Sequence, residues 1–142
     1  MNERRSYKGL ILLTAVMMAI LVIRPLFHPK ERIPWRTDLA AAKAEAQSSN
    51  KRLFLYFTAT WCGPCQSLKH TLWADASVER AMQNFVPVKI DVDEHPEIAQ
   101  SYPSDGIPHF VVASPDGKKM HEETGTMEVG EFLRWLESGA VE

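Results

Sequence analysis

The two cysteines of this 142-residue chain stand three apart, in Trp61-Cys62-Gly63-Pro64-Cys65. An apolar run, Leu53-Phe54-Leu55-Tyr56-Phe57, precedes them, and a helix-forming stretch from Gln66 to Leu72 follows. That order predicts a strand feeding a helix, with both sulfurs on its first turn and close enough to close a small disulfide ring. Pro64 suits the first turn, where its missing N–H costs nothing. Gly63 lets the backbone turn sharply out of the strand. Unpaired N–H groups at the helix start then face the Cys62 sulfur and favour its thiolate, with a pKa below the ~8.5 of free cysteine. A thiolate is the attacking species in disulfide exchange. Cys62 is therefore the expected nucleophile, and Cys65, one turn deeper, the resolving thiol.

Other chemistries fit these residues less well. Zinc takes four ligands, but there is no second cysteine pair, and His28, His70, His95, His109 and His121 are scattered without ligand spacing. No metal is expected. A disulfide used only as a staple across so short a loop would restrain little chain. The strand–CxxC–helix order favours redox chemistry.

Trp-Cys-Gly-Pro-Cys after an apolar strand, with Ile107-Pro108 further on, resembles the active site of the thioredoxin family. The likeness extends from about Trp35 to Glu137. It is most similar to membrane- or envelope-associated thioredoxin-like domains, including the C-terminal domain of the bacterial transmembrane thiol:disulfide interchange protein. The resemblance implies a thioredoxin-like α/β domain, a central mixed β-sheet flanked by helices, and thiol–disulfide exchange without metal, flavin or nucleotide. It also implies substrate contacts from Trp61, Gly63 and Pro64, and from Ile107 and Pro108. The family holds that Ile-Pro bond cis, and its backbone meets an extended substrate as an added strand.

Three further positions bear on the thiols. Tyr56 stands where the family usually carries a buried aspartate thought to relay the resolving cysteine's proton. With a pKa near ~10, a tyrosine is a poor base at neutral pH, and a core tyrosine is the plainer expectation. Lys89 matches a lysine that the family places near the site, where it would perturb the thiols. His109 replaces the threonine usual after the proline. The plainer expectation for it is a partly exposed strand residue. The sharper one is an imidazolium that stabilises the Cys62 thiolate and makes the disulfide more oxidising.

The elements that must position these residues follow from pattern. Trp35 to Gln47 reads as a helix, with Asp38 as its N-cap and Leu39, Ala42 and Ala46 on one apolar face; Trp35 is read as a packing residue. Leu53 to Phe57 reads as a central strand buried on both faces. The helix from Gly63 is expected to run to about Trp73, with a second segment, Val78 to Asn84, capped by Ser77. Val86 to Val92 is the next strand, leaving through a solvated acidic loop at Asp91–Glu97. A short helix, Glu97 to Tyr102, precedes the proline stretch. Strands Phe110–Ala113 and Lys118–Glu123 flank an Asp116-Gly117 turn. Met127 to Glu137 is the last helix, and Ser138 to Glu142 a frayed tail.

Composition bounds the rest. At 45% hydrophobic and 24% charged, the chain can build one core, and its net charge of −2 is uneven. Residues 1–30 hold five basic side chains and one acidic, whereas residues 31–142 hold eleven basic and seventeen acidic. An acidic globular part argues against nucleic acid as partner. Ahead of it, Gly9 to Ile23 is fifteen residues without a charge, too uniformly apolar for a core helix. As a helix it rises roughly 22 Å against a ~30 Å hydrocarbon core. Snorkelling by Lys8 and Arg24, with Leu26 and Phe27 added, makes up much of that difference. The Arg24–Pro29 stretch offers no small-x-small cleavage site, so an uncleaved signal anchor is preferred over a secreted form released by cleavage.

The expected organisation is a transmembrane helix over residues 1–27 (membrane contact from 9 to 27), a linker over 28–34 and a thioredoxin-like domain over 35–142. The domain is expected outside the cytoplasm, on the periplasmic side, acting on membrane-proximal disulfide or dithiol substrates with electrons from a membrane-embedded thiol donor. Gly-Pro between the cysteines favours a protein-disulfide reductase. An oxidase or isomerase, or a tethered binding or assembly module without turnover, remains open.

Overall fold

The computed structural model describes residues 3–23 and 30–139, and within the first helix it describes side chains from Gly9 onward. Helix α1 spans Glu3–Ile23. Its described side chains are exposed all round, from Leu10 at 60% to Ile23 at 47%. Among the described residues no helix is long and apolar enough to cross a membrane. The expected contributions of Lys8, Arg24, Leu26 and Phe27 to a span, and the first part of the expected linker, lie outside the described side chains.

The domain is built on β1 (Arg52–Thr58), whose residues Leu53 to Thr58 are all buried. A strand that is apolar at every position suits a centre covered on both faces. It pairs in parallel with β2 (Phe85–Asp91) and antiparallel with β3 (His109–Ala113), and β3 pairs antiparallel with β4 (Lys119–Thr124). The sheet order is β2-β1-β3-β4. Because strand side chains alternate, Phe54, Tyr56, Phe110 and Val112 point to one core. Leu53, Leu55, Phe57 and Val111 point to the other.

Helix α2 (Leu39–Ser49) covers the second face through Ala42 and Ala46. Asp38 caps it as expected, its side chain accepting from the N–H groups of Ala40 and Ala41. Helix α5 (Pro96–Ser101) packs on that face through Ile98 and Ala99. The first face is covered by α3 (Gly63–Leu68), α4 (Ala76–Met82) and α6 (Val129–Ser138), which bury Cys65 and Leu68, Val78 and Met82, and Phe132 and Leu136.

Three local expectations change. The helix after Gly63 stops at Leu68 rather than near Trp73, and a 3-10 turn follows at Leu72–Ala74. The Lys69 and His70 N–H groups tighten onto carbonyls three residues back, and the Ser67 and Thr71 hydroxyls bind the carbonyls of Pro64 and Ser67. Hydroxyls that compete for helix carbonyls weaken a helix end. The cap of α4 is Asp75, not Ser77; its carboxylate accepts from the Ser77 and Val78 N–H groups. Finally, the last part of the expected linker is laid onto the domain. The Arg32 N–H binds the Trp73 carbonyl at 2.7 Å, and Arg36 forms a parallel bridge to Val88.

Candidate active site

Cys62 is the N-cap of α3 and Cys65 sits inside its first turn. The two are joined by a disulfide with Cα atoms 5.2 Å apart. The Cys65 N–H points at the Cys62 Sγ across 3.2 Å. In the reduced protein that donor stabilises a thiolate at Cys62, because a hydrogen bond to the charged form favours it. With six residues in α3, the help comes from this one N–H group more than from a long macrodipole.

Access is narrow. Cys62 is 3% exposed and Cys65 fully buried, while Trp61 beside them is 68% exposed. Gly63 and Pro64 are exposed above the sulfurs. Trp61 is held in place by its Nε1, which donates to Asp93 Oδ2 at 2.8 Å. Asp93 therefore belongs to the site, although its acidic loop reads in the sequence as ordinary solvated chain. Ile107–Pro108 is a cis bond, and the Ile107 carbonyl lies 3.8 Å from the Cys62 Sγ. Trp61, Gly63 and Pro64 are thus exposed beside the cysteines in the chain, and the Ile107–Pro108 bond brings its Ile107 carbonyl against the Cys62 sulfur.

Tyr56 lies behind the pair. Its hydroxyl donates to the Cys65 carbonyl at 3.3 Å. Burial pushes the Tyr56 pKa up from its ordinary value, so the phenol stays protonated and acts as a latch on α3 rather than as a base. Its ring packs between Trp35 and Trp73, at centroid distances of 5.4 and 5.0 Å. Lys89 pairs with Tyr56 across β1 and β2. Its Nζ lies 3.2 Å from Glu31 Oε1 and 5.8 Å from the centre of the Trp35 ring. Lys89 therefore reaches the back of the site already partnered. Glu31, which also accepts from Trp35 Nε1, has no signal in the sequence; it is 58 residues from Lys89.

His109 departs from the imidazolium expected beside Cys62. Its ring is 1% exposed and stacks on Phe57 at 5.2 Å, on the sheet face opposite Tyr56 and the cysteines. Its Nε2 meets Glu122 Oε2 at 3.1 Å. Burial pushes its pKa below the ordinary histidine value, despite the opposing pull of Glu122. A neutral ring on the far face neither holds the thiolate nor is the partly exposed residue of the plainer expectation. Strand alternation was the available signal: if Phe110 faces the cysteines, His109 cannot.

The sheet order, the disulfide at a strand-to-helix junction and the cis proline facing it define a class, the thioredoxin fold with a CxxC redox site. The family model described as Thioredoxin-like matches residues 34–115, more than half of the chain, and the chain belongs to that family. Thioredoxin-2 of Pyricularia oryzae is 40% identical over 83 residues, 57% of this chain and 45% of that protein. The chain spans about half the length or less of the first such relatives. Among solved structures, a thioredoxin from Thermus thermophilus superposes with a TM-score of 0.69 at 28% identity, covering 78% of this chain and 88% of that one. The oxidised C-terminal domain of Neisseria meningitidis DsbD superposes at 0.60 and 26% identity, covering 74% and 98%.

Proposed function

We propose that the chain is a membrane-tethered thiol–disulfide oxidoreductase that reduces protein disulfides. The observation that carries the reading is the Cys62 Sγ, which accepts the Cys65 N–H, lies 3.8 Å from the Ile107 carbonyl and stands next to the exposed Trp61. The Cys62 thiolate attacks a substrate disulfide, and the first substrate sulfur leaves as a thiolate. Cys65 then attacks the Cys62 Sγ, the second substrate sulfur leaves, and the Cys62–Cys65 disulfide remains. A thiol donor returns two electrons for the next cycle. An extended substrate pairs with the Ile107 backbone as an added strand. Reduction rather than oxidation is favoured by Gly63-Pro64 between the cysteines and by the neutral, averted His109.

Tethering is supported by α1, whose large apolar side chains between Leu10 and Ile23 are exposed on every side. Such a surface fits lipid better than water. About eight residue steps separate Ile23 from Glu31, which among the described residues is bound to Lys89 of the domain, a reach of at most roughly 28 Å. The site then works close to a bilayer on membrane-proximal protein disulfides, supplied by a membrane thiol carrier. We place the domain on the extracytoplasmic side, where disulfides form.

Insulin reduction driven by dithiothreitol tests the activity. The full chain is expected to precipitate insulin well above background and Cys62→Ser not at all; equal rates for the two would reject an exchange enzyme. Cys65→Ser is expected to hold substrates as mixed disulfides on Cys62. Carbonate washing of membranes tests the tether, and a chain released into the wash would overturn it.

A further inference from the structure

The exchange cycle asks something of Cys65 that the described contacts of Cys65 do not supply. To attack the mixed disulfide it must first lose a proton, yet it is fully buried. Tyr56, its polar neighbour, uses its hydroxyl to bind the Cys65 carbonyl and is pushed away from ionising by burial. The groups that face this corner are therefore few. From β2 there is Lys89, a donor only. Further along the same strand Asp91 stands beside Thr58, with its Oδ1 taken by the Asp93 N–H. Arg32 turns away to the Ala74 carbonyl and Glu79. Glu31 remains. Its carboxylate is anchored by Lys89 and by Trp35, whose ring packs against Tyr56, and its side chain is a quarter exposed. Its charge reaches far enough to oppose ionisation of Tyr56. The Lys89 Nζ that holds it lies 6.0 Å from the centre of the Tyr56 ring, and the Tyr56 hydroxyl reaches the Cys65 carbonyl at 3.3 Å.

We infer that Glu31, supplied by the segment ahead of α2, takes the Cys65 proton during resolution and passes it to solvent, with Lys89 and Trp35 fixing its position. The inference rests on the exchange reading above. In the step, the Cys65 thiol gives its proton to the Glu31 carboxylate. The Cys65 thiolate attacks the Cys62 Sγ, and the Cys62–substrate bond breaks. The substrate sulfur leaves with the electron pair and takes a proton from water. Cys62 and Cys65 are oxidised together and the substrate is reduced. The exposed part of Glu31 then releases its proton.

Stopped-flow reaction of the reduced full chain with an aromatic disulfide that releases a coloured thiol separates the two attacks. The first burst reports Cys62 and the second reports Cys65. Glu31→Gln keeps an acceptor for Trp35 Nε1 but no base. It is expected to slow the second burst at least about tenfold relative to the first at neutral pH, with the gap closing in alkali, where the thiol ionises unaided. Glu31→Asp is expected to recover most of the loss. A Glu31→Gln, Lys89→Met double variant is expected to stay slow. If Glu31 served only to neutralise Lys89, the single variant would be faster, because a freed cation stabilises the thiolate; that result overturns the inference. So does an unchanged ratio, or a slow second burst in Asp91→Asn instead. Absence of a first burst in the unmodified protein would reject the exchange site itself, a distinct outcome.

Discussion

Replacing His109 by threonine separates two roles that the residue's position suggests. The ring is 1% exposed, stacked on Phe57, with Nε2 on Glu122. Nδ1 has no hydrogen-bond partner among the described residues. The neutral tautomer with the proton on Nε2 fits these contacts, since that N–H donates to the carboxylate. Burial holds the folded pKa below the ordinary 6.5. In the unfolded chain the same ring takes a proton near ~6.5. Below that pH the unfolded state therefore binds more protons than the folded one. The stabilisation is complete above about pH 6.5 and is lost as pH falls toward the folded pKa. One proton sets the limiting slope at about 1.4 kcal/mol per pH unit. Glu122 and Glu45 are also held below their ordinary value of 4.5, by Lys119 and Arg36 respectively. Their stabilisation is lost only as pH falls below that value, so about pH 5 to 6.5 isolates the imidazole. Urea unfolding across about pH 5 to 8 is the assay. The His109→Thr substitution costs a fixed amount at every pH through the lost stacking, and it is expected to flatten the acid slope relative to the parent protein. Identical slopes would refute a buried neutral ring. Titration of Cys62 by thiolate absorbance in the same pair is expected to coincide, because the ring lies across the sheet; a clear shift would restore the imidazolium reading.

The remaining substitutions probe how α3 and α2 are held. Tyr56→Phe keeps the ring packing but strips the buried Cys65 carbonyl of its donor; a loss of about 1–2 kcal/mol in urea unfolding of the oxidised protein is expected, and no loss would argue against a latch. Asn50 ends α2 with φ at +52°. Asn50→Ala is expected to cost about 1 kcal/mol and Asn50→Gly to be close to neutral in thermal melts; the reverse order would contradict a left-handed cap.

What the sequence made legible, and what it hid, divides by the range of the interactions. Cys62, Gly63, Pro64 and Cys65 declare their chemistry because one turn of chain contains it: a sulfur, the N–H that faces it, and the second sulfur. The all-apolar β1 was readable for a similar reason, since a strand covered on both faces leaves its mark at every position, and Asp38 was readable because a cap binds within the first turn. The early end of α3 was not, because hydroxyls at Ser67 and Thr71 are compatible with a helix until they bind its carbonyls. His109 follows Pro108 in sequence, but that adjacency does not bring it to Cys62. In a strand, adjacency means the opposite face, and register alone puts His109 against Phe57. Glu31 was beyond reach altogether, for its partners Trp35, Lys89 and Tyr56 gather only when the segment ahead of α2 is laid along β2. The electron chemistry is thus written locally, whereas the contacts of Glu31 are assembled across the sheet. If Glu31 serves Cys65 as proposed, a chain with Tyr56 at the back of its redox pair draws its carboxylate from the segment ahead of α2, and Glu31→Gln would slow the resolving attack while leaving the Cys62 attack in place.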